Sequence, residues 1–272
     1  MSEIELGLII YGLLVGLGAG LIGGALAGLA GVGGGLIYVP LFYLFAPPDT
    51  NGMAMHVFAS MVAVVMTGYF SARSHWHLGH VNGKKLVALL PGLVIGAAVG
   101  LWNTLQLSQF WILTALALLN AWVAFDYGRD FHLKLRKNMI STKLLAWPIG
   151  FISGTVGIGG GTMIVPLLRR TLPLKEAVGT ASMAGVFMVL CAVILNFSLE
   201  PDWVGVLVED WQFLVGVWIG IVLIVPFSAH KAAALHGSVD EGKLRLALKT
   251  LFIALSLGLL GAALLALFQF GL

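Results

Sequence analysis

The chain has 272 residues, of which 59% are hydrophobic and 10% are charged. Soluble domains carry about 25% charged residues, so this composition excludes an ordinary soluble domain. Asp, Glu, Lys and Arg are absent from residues 6–46, 53–72, 86–102, 107–125, 144–168, 177–199, 211–229 and 250–272. The longer stretches can cross a hydrocarbon core of about 30 Å as helices, whose backbone hydrogen bonds stay within the segment. We therefore predict an all-α integral membrane protein.

Further features of the sequence narrow the class. The formal net charge of +3 does not indicate a nucleic-acid partner, because the basic residues border apolar stretches. The N-terminus, MSEIE, lacks a positive region, so we expect no cleaved signal peptide. Cys191 is the single cysteine, which excludes an intramolecular disulfide. We expect no cofactor, because there is no Walker motif and the G-x-G-x-x-G match at 18–23 lacks a βαβ context.

The first apolar stretch has a glycine at every fourth position, at Gly12, Gly16, Gly20, Gly24 and Gly28. A ridge of small residues predicts that another helix packs closely against this one. The same spacing recurs in two later stretches, at Gly92, Gly96 and Gly100 and at Gly216 and Gly220.

A glycine-rich motif that follows this ridge is repeated in the second half of the chain. Residues 28–41 read GLAGVGGGLIYVPL, and residues 154–167 read GTVGIGGGTMIVPL. A second echo comes later, where Ala59-Ser60-Met61 matches Ala181-Ser182-Met183. The duplication predicts that the protein is built from two repeats.

Two topologies fit these stretches. If each long stretch crosses the membrane once, the halves run parallel and the 15 Lys and Arg residues divide almost equally between the two sides. Alternatively, each glycine-rich region is a hairpin that turns inside the membrane, because segments 36–46 and 162–170 rise only about 15 Å as helices, half a bilayer. Three spans after each hairpin then invert the second half, and every Lys and Arg falls on one side. The positive-inside rule favours this second topology.

We therefore predict an inverted-topology repeat, in which each half is a glycine-tipped re-entrant helical hairpin followed by three transmembrane helices. Residues 1–126 form the first repeat and residues 144–272 form the second, inverted repeat. Residues 127–143 form a cytoplasmic linker, which we interpret as a solvated loop and not as a site for lipid head groups. Both ends of the chain then lie outside the cytoplasm.

The two glycine triplets point to a binding site. Adjacent glycines disfavour a helix by about 1 kcal/mol each relative to Ala, and they suit a turn with positive φ and exposed N–H groups. Each triplet opens a short helix, whose positive dipole end would lie near the bilayer midplane. We predict an anion site there, although the glycines could serve only close packing. The residues involved are Gly33, Gly34, Gly35, Gly159, Gly160 and Gly161.

The paired G-x-G-G-G…V-P-L motifs, one near the start of each half, resemble those of the TauE/SafE sulfite exporter family, which is also grouped with sulfonate permeases. The resemblance covers nearly the whole chain. It implies a secondary transporter of the inner membrane, an exporter of a small sulfur-containing anion such as sulfite, sulfoacetate or another organosulfonate. The polar residues that follow the motif in such proteins match Thr180 and Ser182 here. In the first half Ser60 is kept, but Phe58 stands where Thr180 would be.

Several polar side chains are candidates for roles in transport. The hydroxyl groups of Ser60, Thr162, Thr180 and Ser182 flank or follow the glycine turns and could donate to an anion. Their alternative partner is the carbonyl four residues earlier in the same helix. His56 and Asn120 lie inside other spans and are candidates for proton or ion coupling. His56 could instead reach the outer interface.

Other functions are less well supported by the sequence. The histidines of HWHLGH, residues 75–80, lack a nearby Cys or acidic ligand, so we expect a loop and no metal site. No nucleophile–base pair with a suitable spacing is present, and we do not expect an enzyme. An intramembrane enzyme, a cation transporter, a transporter of another small anion or metabolite, and a non-transporting assembly subunit are the alternatives. The expected partners are the small anion and the lipid bilayer, and the sequence leaves open whether the chain oligomerises.

Overall fold

The computed structural model of the chain describes residues 3–30, 34–47, 52–127, 142–200, 202–235 and 241–270. These residues form helices and no strand, which confirms the all-α prediction. The helices are α1 (Glu3–Ala30), α2 (Gly35–Phe45), α3 (Gly52–His77), α4 (Gly83–Thr104), α5 (Gln109–Tyr127), α6 (Thr142–Val156), α7 (Gly161–Leu168), α8 (Leu174–Leu199), α9 (Asp202–Leu235) and α10 (Glu241–Phe270). Most of the predicted linker, residues 128–141, lies outside the described residues.

Two short helices follow the glycine triplets. Helix α2 has 11 residues and helix α7 has 8 residues. At 1.5 Å per residue they rise about 16 Å and 12 Å, which is too short to cross a hydrocarbon core of about 30 Å. Their lengths agree with the half-helices expected from the sequence, while the re-entry of the two hairpins into the membrane stays a prediction.

Six helices of the described residues are long and apolar enough to cross a membrane: Glu3–Ala27, Gly52–His77, Gly83–Thr104, Lys175–Leu199, Leu207–Ala232 and Leu246–Phe268. Five of these coincide with predicted spans. The remaining one, in α1, was expected to be only the first arm of a hairpin. Conversely, the predicted span over 107–125 belongs to a shorter apolar helix, Gln109–Phe125. The first arm is therefore a full-length helix, because its apolar residues continue without a break up to the glycine turn.

The contacts between helices have an internal symmetry. Helix α1 packs along α9, and α6 packs along α4. Helix α3 contacts α8, and α5 contacts α10. The pattern is unchanged when each helix is exchanged with the helix five places later, as two five-helix repeats would produce. The division of the chain at residues 126 and 144, and the inverted orientation of the halves, remain predictions.

The glycine ridge of α1 packs against α9, as predicted. A Cβ atom added at Gly12 would collide with the carbonyl oxygen of Phe213, and one at Gly16 with that of Val217. In return, Gly216 lies against the backbone of α1 at Ile9. The same arrangement joins α4 to α6, where the close pairs are Gly96 with Trp147, Gly100 with Phe151, Gly150 with Leu93, and Gly154 with Ala97. Because glycine has no side chain, α1 and α9, and likewise α4 and α6, approach each other backbone to backbone.

Candidate functional site

The two glycine turns contact each other. A Cβ atom added at Gly35 would lie 2.7 Å from the Cα of Ile158 and 2.7 Å from its carbonyl oxygen. Gly157 is equally confined, because a Cβ atom there would lie 2.9 Å from the carbonyl oxygen of Val57 on α3. Gly35 therefore lies beside the second turn, whereas Gly34 packs against Tyr38 of its own helix and Gly33 is outside the described residues.

The backbone conformations of the two turns differ. Gly157, Gly159 and Gly160 have φ angles of 72°, 60° and 72°, in the left-handed region that favours glycine. Gly34, in contrast, is right-handed with φ −57°. The expectation of positive φ at both triplets is therefore wrong for Gly34, and Gly35 also has no positive φ. The first turn needs glycines for space instead, as the contact of Gly35 with Ile158 illustrates.

The second turn has a run of unpaired backbone donors. The N–H of Ile158 donates to the carbonyl of Ser153 at 3.1 Å, and the N–H groups of Met163 and Ile164 donate to the carbonyl of Gly160 at 3.0 and 2.8 Å. The N–H groups between them, from Gly159 to Thr162, have no acceptor in the described part of the chain. Successive N–H groups in mixed right- and left-handed conformations form a concave surface that binds anions. The start of α7 adds the positive end of a helix dipole.

One side-chain donor is also unpaired at this turn. The Oγ1 atom of Thr162 is buried, and it has no hydrogen-bond partner among the described residues. Only 8% of the Thr162 residue is exposed. A buried hydroxyl without a partner costs about 1–3 kcal/mol, so this atom is a candidate for contact with a ligand. The hydroxyl of Ser153, which lies close to Gly160, is also buried and has no partner among the described residues.

A cavity of about 70 Å³ borders the second turn. The turn contributes Gly159 and Gly161 to its wall, and α3 and α8 form much of the remainder. The polar side chains of the wall are Thr67, Ser71, His75 and Ser182. No Lys, Arg, Asp or Glu of the described ranges lines this space. An anion inside it would therefore depend on N–H and O–H donors and on one imidazole.

The predicted hydroxyl donors have distinct positions. Ser182 lines the cavity, and its Oγ lies 3.1 Å from the Oγ of Ser71. Ser60 donates to the carbonyl of Gly157 at 2.7 Å, so its proton is used by the second turn. Thr180 accepts a hydrogen bond from the N–H of Asn82 at 2.9 Å. These three bonds go to other elements, unlike the bonds within one helix that were the alternative. Ser60 and Thr180 do not line the cavity.

The two candidate coupling residues are buried away from this cavity. Only 5% of His56 is exposed, and neither ring nitrogen has a partner in the described residues. Its ring lies 5.8 Å from that of Tyr43, edge to face, and the Tyr43 hydroxyl accepts a hydrogen bond from Gln109. The Asn120 amide donates to the carbonyl of Leu116, four residues earlier. The Asn120 nitrogen therefore has the ordinary partner of a polar side chain inside a helix, while its Oδ1 atom is buried without a partner among the described residues.

Sequence reasoning missed Thr67 and Ser71, and it considered His75 only as a metal ligand, within HWHLGH. These residues follow each other at intervals of four along α3, so they share one face of the helix. Polar residues at that spacing in an otherwise apolar span were the signal that could have identified them. The Nδ1 atom of His75 lies 3.4 Å from the Nδ1 atom of His80. No group of three His, Cys, Asp or Glu side chains that could hold a metal ion occurs in the described ranges.

Phe58 belongs to an aromatic cluster. Its ring lies 5.4 Å from Phe197, 5.5 Å from Trp203 and 6.3 Å from Trp218. Trp203 is fully buried, and the indole N–H of Trp218 donates to the carbonyl of Ala59 at 3.3 Å. Where the second half has the hydroxyl of Thr180, the first half therefore contributes apolar packing.

Comparison with known proteins shows the family to which the chain belongs. Residues 16–267 match the family model described as "Sulfite exporter TauE/SafE". The chain belongs to this family of membrane transporters. It is 30% identical over 184 residues to a probable membrane transporter protein of Haemophilus influenzae, with 62% of this chain and 67% of the relative covered. It is also 30% identical over 236 residues to a probable membrane transporter protein of Xylella fastidiosa, with 82% and 88% covered.

A third relative has a more specific name. The probable inner membrane transporter protein TsaS of Comamonas testosteroni is 32% identical over 120 residues, with 42% of this chain and 47% of the relative covered. No solved structure matches the chain significantly. The family and the six apolar helices together make this chain a multi-pass membrane protein.

Proposed function

We propose that this protein is a secondary transporter of the inner membrane that exports a small sulfur-containing anion, such as sulfite, sulfoacetate or another organosulfonate. The protein moves its substrate by alternating access around the two glycine turns and catalyses no chemical reaction. The description of the matching family supports the substrate class.

One observation carries this proposal. The N–H groups of Gly159 to Thr162, which have no acceptor among the described residues, lie at the start of α7, and Gly159 and Gly161 border the cavity. The dipole of a helix places roughly half a positive charge at its N-terminus. A sulfur oxyanion presents several oxygen acceptors around one centre, so it can accept several such N–H groups at once. The cavity wall offers a cation no carboxylate among the described residues.

The side chains around the turn support it in different ways. Ser182 is a direct candidate donor to the anion because it lines the cavity. Thr162 does not line the cavity, but it is a second candidate because its hydroxyl is buried without a partner among the described residues. Ser60 holds the turn from α3 through the carbonyl of Gly157. Thr180 joins α8 to the loop before α4 through the N–H of Asn82. The last two contribute by fixing the shape of the site, in the conformation described.

Alternating access requires the site at the glycine turns to open first to one side of the membrane and then to the other. The cavity extends along α3 from Val64, which lies beside Gly159, to His75, near the end of α3 that the charge pattern assigns to the cytoplasm. In the direction of Phe58, the cluster of Phe197, Trp203 and Trp218 fills the space around α3. We infer that this conformation is accessible from the cytoplasm and that movement of the aromatic cluster opens the other side.

Transport by the purified protein in proteoliposomes tests the proposal. The substrates offered would be sulfite, thiosulfate, sulfoacetate, sulfate and nickel ion. We expect movement of one or more of the sulfur anions and none of nickel. Gly159→Ala should abolish this movement, because Gly159 has φ 60° and an added Cβ would meet the side chain of Val64.

The matched control is Gly258→Ala on α10. An added Cβ there meets no described heavy atom within 4 Å, so transport should be unchanged. Nickel movement without anion movement would contradict the proposal, as would full anion transport by Gly159→Ala.

A further inference from the structure

The cavity contains a second group of donors, which extends from the region of Ser182 towards His75. Ser71 on α3 and Ser182 on α8 both line this cavity, and their hydroxyl oxygens lie 3.1 Å apart, within hydrogen-bond distance. One proton of this pair bridges the two oxygens, so the other proton is free to donate to a ligand. His75 follows Ser71 by one helical turn and lines the same space.

His75 is the only described side chain of the cavity wall that can carry a charge near neutral pH. Its Nδ1 atom lies 3.4 Å from the Nδ1 atom of His80. Two imidazoles at this distance can hold one proton between them, whereas a second proton is opposed by repulsion between like charges. The pair is therefore able to change its charge by one proton beside the cavity.

Among the described residues, the ionisable side chain in contact with His75 is that of His80. Gly179 of α8 lies directly against the pair, because an added Cβ there would be 3.0 Å from the Cβ of His75 and 2.6 Å from the carbonyl oxygen of His80. The cavity wall next to it on α8, Val178 and Ser182, is uncharged. Other ionisable residues at the same ends of α3, α4 and α8 are outside the cavity wall, namely Arg73, His77, Lys84, Lys85, Lys175 and Glu176.

A buried anion needs a compensating charge. Transfer of an unpaired ion from water into a protein interior is strongly unfavourable, and an opposite charge nearby offsets this cost. No Lys or Arg of the described residues lines the cavity. Protonation of the histidine pair supplies one positive charge in the part of the cavity beside His75, away from the N–H groups of the turn.

We propose that Ser71, His75 and Ser182 form a second position for the sulfur oxyanion, at which anion binding is accompanied by uptake of one proton on the His75–His80 pair. This inference rests on the proposed function, and it names the coupled ion of that same cavity. The neutral pair, a proton from water and the anion combine into an imidazolium–anion pair, so no oxidation or reduction is involved. The proton source is the solvent at the His75 end of the cavity.

Linkage fixes the sign of the pH effect. If the anion binds better when the pair is protonated, the pair also binds its proton better when the anion is present. Anion affinity is then highest at low pH and falls by up to about tenfold per pH unit above the pKa of the empty pair, which is the limit for one linked proton. A merely structural contact between His75 and His80 would leave anion affinity independent of pH.

Calorimetry on the purified full chain tests this inference, with sulfoacetate and thiosulfate as probes between about pH 5.5 and 8, where imidazoles titrate. Both probes keep their charge over this range. Measuring the binding heat in two buffers of different ionisation enthalpy gives the number of protons taken up with each anion. The variants are His75→Gln, His80→Gln and His75→Lys, and the control is His77→Gln, an exposed residue at the same helix end that does not line the cavity.

The wild-type protein and His77→Gln should bind with an affinity that falls as pH rises, and proton uptake should approach one per anion at the pH values where the affinity falls. His75→Gln should show a pH-independent affinity at least about tenfold below that of the wild type at the lowest pH. His75→Lys, with a permanent charge, should restore the affinity without its pH dependence, which a folding defect could not do. Wild-type binding that is independent of pH and takes up no proton would overturn the proton-linked position and leave the proposed function intact. Absence of binding of both probes at every pH would overturn the anion site itself.

Discussion

Ser60 on α3 donates a hydrogen bond of 2.7 Å to the carbonyl of Gly157, 97 positions later in the chain. The bond is buried, and it joins the first half of the protein to the glycine turn of the second half. The two serines of the repeated Ala-Ser-Met sequence therefore have different hydrogen-bond partners. Ser182, the counterpart of Ser60, pairs with Ser71 and lines the cavity instead.

Replacement of Ser60 by alanine should destabilise the protein. The carbonyl of Gly157 would lose its hydroxyl donor in a buried place, at a cost of about 1–3 kcal/mol. The apparent melting temperature in detergent should fall accordingly. Ser198→Ala is the control, because the Ser198 hydroxyl is exposed and bonds within its own helix to Ile194. Equal melting temperatures for both variants would show that the bond to Gly157 contributes nothing to stability.

Replacement of Thr162 by valine should weaken anion binding without weakening the fold. The Thr162 hydroxyl has no described partner, so its loss removes a buried unsatisfied group. If it donates to the anion, the loss of a hydrogen bond to a charged ligand costs about 1.5–3 kcal/mol, or roughly ten- to a hundredfold in affinity. Calorimetry and thermal unfolding would measure the two effects separately. Thr250→Val, whose hydroxyl bonds to Leu246 on an exposed face, should leave the affinity unchanged, and an unchanged affinity in Thr162→Val would remove Thr162 from the site.

The glycine ridge of α1 permits a comparison within one helix. Gly16→Ala should destabilise the protein, because the added Cβ collides with the carbonyl of Val217 on α9. Gly18→Ala meets no described heavy atom within 4 Å, and it should be neutral or stabilise the helix by up to about 1 kcal/mol. Thermal unfolding of the two variants measures the difference. Similar melting temperatures would contradict the close packing of α1 on α9.

The inverted topology predicts on which side of the membrane each segment lies. With Cys191 replaced by alanine, Ser2→Cys should react with an impermeant thiol reagent applied outside the cytoplasm. Asn138→Cys, in the predicted linker, should react only from the cytoplasmic side. The prediction rests on the placement of every Lys and Arg on one side. Labelling of both positions from the same side would exclude the inverted arrangement.

The helical frame could be read from the sequence because lipid leaves the chain few alternatives. Apolar stretches must form helices, and glycines at intervals of four predicted that another helix packs closely on α1, although not that this helix is α9. The full length of α1 was not recognised, since its apolar residues run into the hairpin without a boundary. The length of an apolar stretch does not show where a helix ends if the helix is followed by an apolar turn and not by a charged loop.

The candidate site was predictable in its backbone and much less so in its side chains. The duplicated motif identified the turn at Gly159–Gly161, because adjacent glycines have few structural uses inside a membrane. The partner of Ser60 depends on which residue of a distant turn lies opposite α3, and no local pattern encodes that. The stripe that includes Ser71 and His75 was visible in the sequence, but its importance depends on the cavity beside it.

Locating a bound anion in a crystal structure would show whether the N–H groups of the second glycine turn bind it. Selenite resembles sulfite, and its selenium atom gives an anomalous signal in crystals of the full chain grown with it. We expect a single strong selenium peak in the cavity, with selenite oxygens within about 3 Å of the N–H groups of Gly159 and Gly161, the two residues of the triplet that line it. Selenium bound only at the Lys and Arg residues of the surface, with the N–H groups of this turn unoccupied, would contradict it.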